Sequence, residues 1–495
     1  MRIGLVIPPS LILSDERFFV HIGILKVAAI LEQKDILVDV LDLSGVGNYL
    51  DSVRSYVMEH TPSHIGFTAT SPQIPAATEI AKEIRKLRPS IRLILGGPHI
   101  TLVNIPRRRE VAKGIEGRGV LAFKQLESYF DIFVMGDGEL AVFDALRENS
   151  PKIIDADDPK STSFLTKNQL TELPLPARHL VDINSYHYKI DGVSALSMIC
   201  QLGCPFGCAF CGGRESPFLR KVRLRSTESV IAEFRHIYER YGFRAIMLYD
   251  DELNVNPRMI ELMQAIAHLG KDLGVEWRLR GFIKAELFTD DQAEAMKEAG
   301  FREILTGFES GSPRILENIN KKATLEDNNR CVAIARRHGL RTKALMSIGH
   351  AGETEATIRE TMDWILEIHP ESFDLTRITV YPGTPYFDWA IPHEVDSDVF
   401  VFTAKNGDRL YSRNFDYTED FMYYKGDRGD RLGLNKFHAW TDALTADNLT
   451  VLRFETEAEL RKKLGQEFQT DAAPILYDHS MGQGLPDSIL RSTRQ

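Results

Sequence analysis

The first 145 residues alternate between short apolar runs and segments with helical spacing. Residues 22–32 and 75–87 carry apolar positions at helical intervals, whereas residues 104–118 are charged and are interpreted as a surface insertion. Short buried strands separated by helices indicate parallel βαβ units, and such sheets bind ligands beyond the carboxyl ends of their strands. The runs interpreted as strands are residues 2–7, 36–43, 64–70, 91–97 and 132–139.

The same alternation resumes between residues 195 and 385. Helical patterns at 227–241, 257–269, 290–299 and 355–368 lie between apolar runs. Six strand–helix units predict an α/β barrel that is not fully closed, with its chemistry on the loops that follow the strands. The six strand patterns are residues 197–202, 244–251, 275–282, 302–310, 341–349 and 374–385.

Changes in pattern divide the chain into four parts. Residues 1–150 form the first α/β domain, and residues 151–190, which lack periodicity, form a linker. The barrel is assigned to residues 191–388. Residues 389–495 are rich in Asp, Tyr and Phe with weaker periodicity, and we predict a small α-rich C-terminal cap. Its short helices are predicted at residues 436–446 and 456–468.

Composition narrows the class of protein. The chain has 495 residues, of which 43% are hydrophobic and 26% charged, as in ordinary globular proteins. No apolar run reaches the roughly 18 residues of a membrane span, so no membrane association is expected. The net charge of −10 argues against a binder of phosphate backbones, so nucleic acid is not an expected partner. The first nine residues make a poor signal peptide, and five cysteines do not suggest a disulfide framework, so a cytoplasmic location is predicted.

Four of the five cysteines lie within twelve residues. Cys204, Cys208 and Cys211 have the spacing C-x₃-C-x₂-C and directly follow an apolar strand. Three soft thiolates in one loop are suited to an iron–sulfur cluster or to zinc. Cys200 is a possible fourth ligand, but it lies on the strand four residues before the loop, and its side chain is expected to point away from the other three thiols. Cys331 lies in a helical pattern with an apolar face and is interpreted as a core residue.

This cysteine loop, at the end of the first barrel strand and with Phe210 before its last cysteine, resembles the radical S-adenosylmethionine (SAM) superfamily. The resemblance implies that Cys204, Cys208 and Cys211 are catalytic and hold a [4Fe–4S] cluster whose open iron binds SAM. Reduction of the cluster then cleaves SAM to methionine and a 5′-deoxyadenosyl radical, which takes a hydrogen atom from the substrate. A structural zinc loop is the alternative.

Later strand ends match the same family. The segment after the second strand contains Asp250, Asp251 and Glu252, and the GFESG segment at 307–311 resembles the family's G-x-E-S-G, with Lys322 and Thr324 following. The resemblance implies contacts to SAM from these segments, from the strand that ends in SIG, and from the YPGTP turn; Arg278 or Arg280 would reach the charged end of SAM. The implied SAM-binding residues are Phe210, Asp250, Asp251, Arg278, Glu309, Ser310, Ser347, Ile348 and Tyr381.

The N-terminal half resembles the cobalamin-binding domain of B12-binding radical SAM enzymes, so that the likeness covers roughly residues 1–385. It rests on GILKVAAIL after the first strand, GGPHIT after the fourth, GDGE before a helix, and PLPAR at 174–178. The N-terminal half has no D-x-H-x-x-G motif, and the look-alike at 478–482 has the wrong spacing, so cobalamin would bind without that lower histidine ligand. The implied cobalamin-binding residues are Pro9, Ser71, Gln73, Gly97, His99, Gly136 and Gly138.

Together these features predict a Rossmann-like cobalamin-binding domain, a partial TIM-like barrel and a C-terminal cap. The implied reaction is cobalamin-dependent methyl transfer to an unactivated carbon or to phosphorus, on a small-molecule substrate, with a flavodoxin- or ferredoxin-type electron donor. The alternative is a SAM-only dehydratase, epimerase or rearrangement enzyme, of the kind found in aminoglycoside pathways, with a cobalamin-free domain. A methylthiotransferase is disfavoured because no cysteine precedes Cys200, and a non-enzymatic carrier is disfavoured by the filled SAM positions. The C-terminal aromatic residues Phe421, Tyr423, Tyr424 and Trp440 are expected to pack on the barrel mouth.

Overall fold

A computed structural model of the chain describes residues 1–10, 16–396, 398–414, 416–418 and 439–466. Its first part is a six-stranded parallel sheet in the order β2-β1-β3-β4-β5-β6. The strands are β1 (Arg2–Ile7), β2 (Leu37–Asp42), β3 (His64–Thr68), β4 (Arg92–Gly96), β5 (Ile132–Gly136) and β6 (Ile153–Ala156). The helices are α1 (Ile22–Glu32), α2 (Tyr49–His60), α3 (Ile74–Leu87), α4 (Pro98–Ala112), α5 (Arg118–Glu127), α6 (Gly138–Ala145) and α7 (Lys167–Glu172).

The Rossmann-like prediction is confirmed, with two local corrections. Residues 104–118 are not a surface insertion, because α4 runs through most of them and buries Asn104, Ile105 and Pro106. An internal proline and three consecutive arginines conceal this helix in the sequence pattern. The sixth strand, β6, lies inside the segment that was predicted to be a linker.

The second part is a seven-stranded sheet in the order β15-β14-β13-β12-β11-β8-β7, parallel except for β7. The open order agrees with the predicted partial barrel. The barrel strands are β7 (Lys189–Ile190), β8 (Val193–Met198), β11 (Ala245–Leu248), β12 (Arg278–Phe282), β13 (Phe301–Glu309), β14 (Arg341–Ile348) and β15 (Ser372–Arg377). The short strands β9 (Gln201–Leu202) and β10 (Arg223–Leu224) pair beside it. The helices are α8 (Pro217–Arg220), α9 (Thr227–Tyr241), α10 (Met259–Leu273), α11 (Asp290–Ala299), α12 (Pro313–Asn318), α13 (Leu325–Arg337), α14 (Glu355–Ile368) and α15 (Pro385–Asp388).

Local signals fix the ends of the barrel helices. The helices α9, α11, α13 and α14 begin after a Ser or Thr whose hydroxyl accepts a hydrogen bond from a backbone N–H of the first turn. Three helices end at a glycine in the left-handed region, which has no Cβ to clash there. These glycines are Gly242, Gly274 and Gly300.

The C-terminal part differs from the predicted α-rich cap. A four-stranded antiparallel sheet is formed by β16 (Ile391–Pro392), β17 (Val399–Thr403), β18 (Arg409–Arg413) and β19 (Trp440–Thr441). The described residues of 436–446 contain β19 in place of the predicted helix. The predicted helix at 456–468 overlaps the helix α16 (Ala446–Leu464), which begins ten residues earlier and ends at Leu464.

Helix α16 covers the open edge of the barrel sheet. Arg453 Nε donates to the carbonyl of Leu375 at 2.9 Å, and Arg461 donates to that of Phe373 at 3.2 Å. Both carbonyls belong to the edge strand β15, so this helix satisfies backbone groups that would otherwise face outward. In the part of the chain that the structure describes, no helix has the length and apolar character needed to cross a bilayer.

Candidate active site

The cysteine loop is held from three directions. The N–H of Cys204 donates to Leu219 O at 2.9 Å, that of Ala209 to Ile319 O at 2.8 Å, and that of Gly213 to Gly383 O at 2.7 Å. Leu219 lies in α8, Ile319 directly follows α12, and Gly383 lies in the segment after β15. The loop therefore has one fixed path across the carboxyl ends of the barrel strands, where barrel chemistry is found.

The three thiols of this loop lie within electrostatic reach of one another. Burial, together with negative charge on Cys208 and Cys204, raises the pKa of Cys211 to about 12, although Arg214 acts to lower it. Within the described ranges, no three His, Cys, Asp or Glu side chains converge closely enough to hold a single metal ion. Three soft thiols around one loop form the donor set of an iron–sulfur cluster, which binds each thiolate at its own iron. The residues present therefore fit a cluster with three protein ligands.

Cys200 belongs to a different environment. It is fully buried, and the charged groups that act on its thiol are Asp250, Arg225 and Glu233. Burial raises its pKa well above the ordinary value, as expected for an inert core thiol. Cys331 is likewise buried in α13.

A buried arginine spans the inside of the loop. Arg214 donates from Nε and Nη2 to Gly212 O at 3.1 and 2.9 Å, and from Nη1 to Cys204 O at 3.3 Å and Phe206 O at 2.8 Å. Burial lowers its pKa, but negative charge at Cys211 and Cys204 outweighs this effect and raises the pKa overall. Arg214 was not predicted to have a role at this site. The one feature of the sequence that could have indicated it is its position three residues after the last cysteine.

The acidic segment after β11 contributes in two ways. Asp250 is buried, and its Oδ1 accepts from the N–H groups of Cys200 at 2.8 Å and Gln201 at 2.5 Å, so this oxygen positions the start of the cysteine loop. The other oxygen, Oδ2, and Oε2 of Glu252 are buried without a hydrogen-bond partner in the described part of the chain. Burial raises the pKa of each acid to about 7. These open oxygens are suited to accept the ammonium group of a ligand.

Asp251 lines a cleft. Its side chain is exposed, yet desolvation by the surrounding protein raises its pKa, while Arg214 and the N–H of Gly203 lower it. An exposed carboxylate with protein on most sides is a feature of a cleft wall. This wall lies beside the cysteine loop.

Glu309 is the centre of a buried polar chain. Its Oε1 accepts from Lys321 Nζ at 3.2 Å, and its Oε2 accepts from Ser347 Oγ at 3.0 Å. Ser347 Oγ is also joined to His350 Nε2 at 2.8 Å, and His350 Nδ1 to the hydroxyl of Tyr386 at 3.1 Å. Burial lowers the pKa of His350 to about 3, so its ring is neutral near pH 7.

The remaining predicted SAM residues lie around this chain. The ring of Phe210 meets that of His350 edge-on at 5.3 Å, and Ile348 is the last residue of β14. Ser310 is buried and bonded to Thr361 Oγ1 at 3.0 Å, so its hydroxyl supports the turn after β13. Tyr381 packs beside Gly212, since a Cβ on that glycine would lie 3.3 Å from its ring.

Arg278 does not lie near the cysteine loop, contrary to the prediction that it contacts SAM. It is the first residue of β12 and donates to Asp191 O at 2.6 Å, which places it at the amino end of the strand. A five-residue strand spans about 13 Å, and the cysteine loop lies beyond the opposite end. Arg280 is also directed elsewhere, toward Tyr188 and Glu303. The cation that the structure brings to Glu309 is Lys321, not the neighbouring Lys322, which is exposed.

The residues predicted to bind cobalamin gather at one edge of the first sheet. Strands β1 and β3 form the point where the strand order reverses, and such switch points open a crevice. Ser71 Oγ is joined to His99 Nδ1 at 2.9 Å, and Gln73 Nε2 donates to the carbonyl of Pro8 at 2.7 Å. Pro9 is buried at the same edge, Gly97 follows β4, Gly136 is the last residue of β5, and Gly138 begins α6.

The glycines at this edge are explained by packing of the chain itself. Gly97 has φ +93°, and a Cβ there would lie 2.8 Å from the backbone nitrogen of Ala69. Gly136 has φ +80°, and its Cβ would meet Asp157 N at 2.5 Å. The open polar atom at the edge is His99 Nε2, which is buried with no hydrogen-bond partner among the described residues. Burial lowers the pKa of His99 to about 3, so its ring is neutral near pH 7 and Nε2 can bond to a ligand. The ring also packs 5.0 Å from that of Tyr417, which occupies part of the same edge.

Helix α4 connects this edge to the cysteine loop. The helix begins next to Gly97, and one turn later Leu102 packs against Gly212 and Gly383. Buried Asp157, after β6, accepts from Ser216 Oγ at 2.6 Å and from the N–H of Phe218 at 2.9 Å. Buried Arg223 completes the contact by pairing with Asp137 at 2.5 Å. Sequence patterns did not indicate these partners, because each pair joins residues far apart in the chain.

Comparisons with known proteins agree with this arrangement. Residues 198–365 match the model of the radical SAM superfamily, and residues 11–127 match that of the B12-binding domain. An uncharacterized methyltransferase of Pyrococcus horikoshii is 28% identical over 363 residues, which are 72% of this chain and 76% of that protein. The anaerobic magnesium-protoporphyrin IX monomethyl ester cyclase of Cereibacter sphaeroides is 23% identical over 69% of this chain, but the chain spans only 56% of that relative.

A solved structure shares the fold over most of the chain. The radical S-adenosylmethionine methyltransferase TsrM of Kitasatospora setae, solved with cobalamin and a [4Fe–4S] cluster, superimposes with a TM-score of 0.59. The match covers 82% of this chain and 81% of that protein at 19% identity. At this identity the likeness concerns the fold.

Proposed function

Because the chain is a radical SAM protein with a B12-binding domain in front of its barrel, we propose that it is a cobalamin-dependent radical SAM methyltransferase acting on a small molecule. The observation that carries the proposal is that helix α4 joins the predicted cobalamin-binding edge of the first sheet to the cysteine loop. The helix starts at the switch-point edge of the first sheet, and its Leu102 packs on the loop of the cluster cysteines. The two cofactor sites are therefore adjacent, as methyl transfer between them requires.

In this proposal each group of residues has a definite task. Cys204, Cys208 and Cys211 hold a [4Fe–4S] cluster, which reductively cleaves SAM and so supplies the radical that activates the substrate. The open oxygens of Asp250 and Glu252 accept the ammonium group of SAM. Glu309, fixed by Lys321 and Ser347, presents its carboxylate to the sugar hydroxyls. The remaining predicted contacts, with Arg278 omitted, keep water from the site.

The acceptor atom is a carbon or phosphorus that lacks an activating group. Among curated relatives are a bacteriochlorophyllide d C-12(1)-methyltransferase of Chlorobaculum tepidum and a cytidylyl-2-hydroxyethylphosphonate methyltransferase of Streptomyces wedmorensis. Each aligns with less than half of this chain. They support the reaction class, and the substrate itself is left open.

The electron donor in the proposal is a flavodoxin- or ferredoxin-type protein. Residues 205–207 form the outer turn of the cysteine loop, with Pro205 exposed. Gly207 and Ala209 line a groove of about 720 Å³, and the exposed charged residues of its lining are Lys322, Lys405 and Glu317, so that cations outnumber acids there. Exposed cations beside the cluster loop, in a chain of net charge −10, favour an acidic carrier. A cytoplasmic location, where such carriers occur, is part of the same proposal.

A second candidate is the SAM-only enzyme with an empty B12-binding domain. Tyr417 supports it, because its ring packs on that of His99 at the edge where cobalamin would bind. In that case the substrate radical would proceed to dehydration, epimerisation or rearrangement without methylation.

Cofactor stoichiometry separates the two candidates. The protein is expressed anaerobically with hydroxocobalamin, its cluster is reconstituted, and iron, sulfide and corrinoid are measured per chain. About four irons and one corrinoid are expected for the methyltransferase. About four irons without corrinoid would select the SAM-only enzyme, and zinc that persists under anaerobic handling would refute both. Cys208→Ala should abolish SAM cleavage, while Cys331→Ala, which removes a core thiol, should retain it.

A further inference from the structure

Arg214 ties the two halves of the cysteine loop together. Its guanidinium donates to the carbonyl of Cys204 at the beginning of the loop, to that of Phe206 in the outer turn, and to that of Gly212 at the end. The side chain is 6% exposed. A planar fork with fixed donor directions holds several carbonyls at once, which an ammonium group cannot do with the same geometry.

The charge of Arg214 lacks a carboxylate partner. Three other buried arginines of the barrel entrance are each paired: Arg178 and Arg225 with Glu233, and Arg223 with Asp137. Among the described residues, no carboxylate lies within ion-pair distance of Arg214, and its hydrogen bonds go to neutral carbonyls. A buried cation is costly unless an anion compensates it. The anions within its electrostatic reach are the thiolates of Cys211 and Cys204 and, more weakly, the carboxylate of Asp251, which lies outside ion-pair distance.

We propose that Arg214 is a positioning residue and the fixed counter-charge of the iron–sulfur cluster, an inference that rests on the proposed function. It holds the loop in the shape that binds iron before iron arrives. Its positive charge also favours the reduced cluster, because one added electron increases the negative charge beside a buried cation. Net charge and hydrogen bonding near a cluster are known to set its potential, and low local polarity strengthens such effects.

The test compares three variants of the full-length reconstituted protein. Arg214→Gln removes the charge, Arg214→Lys keeps the charge without the fork, and Arg220→Gln is the matched control. Arg220 also donates to the loop, at Pro205 O and Arg214 O, but it is exposed, so water screens its charge. The readouts are iron and sulfide per chain, the midpoint potential from a titration followed by electron paramagnetic resonance, and the melting temperature of the metal-free chain.

The expected result is a cluster of lower potential in Arg214→Gln. We expect at least a tenfold smaller equilibrium constant for one-electron reduction, a shift of about 59 mV to more negative potential. Arg214→Lys should recover most of this shift but retain less iron than wild type, and Arg220→Gln should match wild type in both respects. An unchanged midpoint potential in Arg214→Gln would refute the proposal that Arg214 is the counter-charge of the cluster.

Loss of the cluster in a variant is also informative. One informative outcome is that Arg214→Gln binds no iron, Arg214→Lys binds it, and the two metal-free chains have the same melting temperature. In that case the positive charge itself is required and the proposal is supported. If neither variant binds iron and both melt as wild type, only the positioning part survives. If both bind and retain iron as wild type does, the positioning part is refuted. Failure of the cluster assignment, on which the inference rests, is a separate result, because wild type itself would then lack iron. Absence of corrinoid with the iron present would change the proposed reaction but would leave this test unaffected.

Discussion

Glu309 is held in a backbone conformation that a glutamate seldom adopts. Its φ of +68° lies in the left-handed region, which costs about 1 kcal/mol or more for a residue with a Cβ. The surrounding contacts maintain it, since both carboxylate oxygens are bonded, one to Lys321 and one to Ser347. Residues kept in such conformations cluster at ligand sites. The geometry therefore supports the role in SAM binding that the G-x-E-S-G resemblance implies.

Glu309→Gln should weaken SAM binding without removing the cluster. The substitution deletes the charge that compensates Lys321 and turns one acceptor into a donor. Hydrogen bonds that involve a charged group contribute about 1.5–3 kcal/mol, so we expect a loss of affinity of roughly 10- to 100-fold. Isothermal titration of a SAM analogue into the reconstituted protein measures it. Glu317→Gln, at an exposed acid eight residues away, should bind as wild type, and equal loss in both variants would contradict the role of Glu309.

Glu353 should make stability fall as pH rises. Burial raises its pKa from 4.5 to about 7, although Thr357 and the N–H of Gly349 donate to it. The folded state thus binds the proton more tightly than the unfolded state, so the favourable contribution is complete below pH 4.5 and is lost as pH rises through 7. The shift corresponds to about 3 kcal/mol.

The measurement is the difference between Glu353→Gln and wild type in denaturant unfolding of the metal-free chain at pH 5 and pH 8. Other raised acids, such as Asp388, cancel in this difference. The glutamine variant should gain on wild type by about 3 kcal/mol at the higher pH. Glu355→Gln, at an exposed acid two residues later that begins α14, should show no such change. A pH-independent difference for Glu353→Gln would exclude ionisation of this group as the cause.

Residue-scale prediction succeeded where the chemistry is local in sequence. The spacing of Cys204, Cys208 and Cys211 and the segment around Glu309 were sufficient to place the candidate site on the barrel loops. Lys321, His350 and Arg214 were missed because their roles depend on contacts across elements. Arg278 was misplaced because a strand pattern does not show at which end of the strand a residue lies. Here Arg278 is the first residue of β12, at the end opposite the candidate site. Phe421, Tyr423, Tyr424 and the look-alike at 478–482 lie outside the described residues.

At the scale of elements, periodicity was reliable for strands and for uninterrupted helices. Strand β1 and helix α1 have the predicted bounds. Helix α4 was missed because Pro106 and the three arginines interrupt its apolar periodicity. Two of these arginines form ion pairs: Arg108 with Asp155 and Asp157, and Arg109 with Glu215. Arg108 therefore contacts the end of β6 in its own sheet and Arg109 contacts the barrel part, so this charged run is not a surface insertion. Helix α16 was predicted too short, and its buried arginines, which bond the edge strand, weakened the apolar signal.

Asp157→Ala should loosen the contact between the two α/β parts. Asp157 is fully buried and accepts from Ser216, Phe218 and Arg108, so alanine leaves three donors without a partner. A buried donor left without a partner costs about 1–3 kcal/mol, and Arg108, which is one-third exposed and keeps Asp155, adds little, so we expect a loss of about 2–5 kcal/mol in total. Denaturant unfolding of the metal-free chain measures the loss. Asp158→Ala, which breaks only a turn bond to Lys160, should cost less than about 1 kcal/mol, and equal losses would show that the buried link carries no special weight.

The whole molecule places two sheets so that their ligand-binding edges meet at the cysteine loop. The parallel sheets require their ligands beyond the carboxyl ends of the strands, and α4 with β6 fixes the first edge against the second. The outer turn of the loop, at residues 205–207, has Pro205 exposed, and its Gly207 lines the groove with Lys322 and Lys405. In the proposed function an electron would enter the cluster through this turn.

The double variant Lys322→Glu, Lys405→Glu should therefore slow reduction of the cluster by an acidic carrier protein. Reversing two exposed charges removes the attraction that steers association, so we expect about a tenfold lower rate at low salt and convergence with wild type at high salt. Stopped-flow absorbance of the cluster with reduced flavodoxin measures the rate. The control Lys34→Glu, Lys271→Glu changes the net charge equally at exposed positions outside the groove and should be reduced as fast as wild type. Excess dithionite should reduce all three proteins to the same final extent. Equal slowing in both double variants would mean that net charge, and not this groove, governs the encounter.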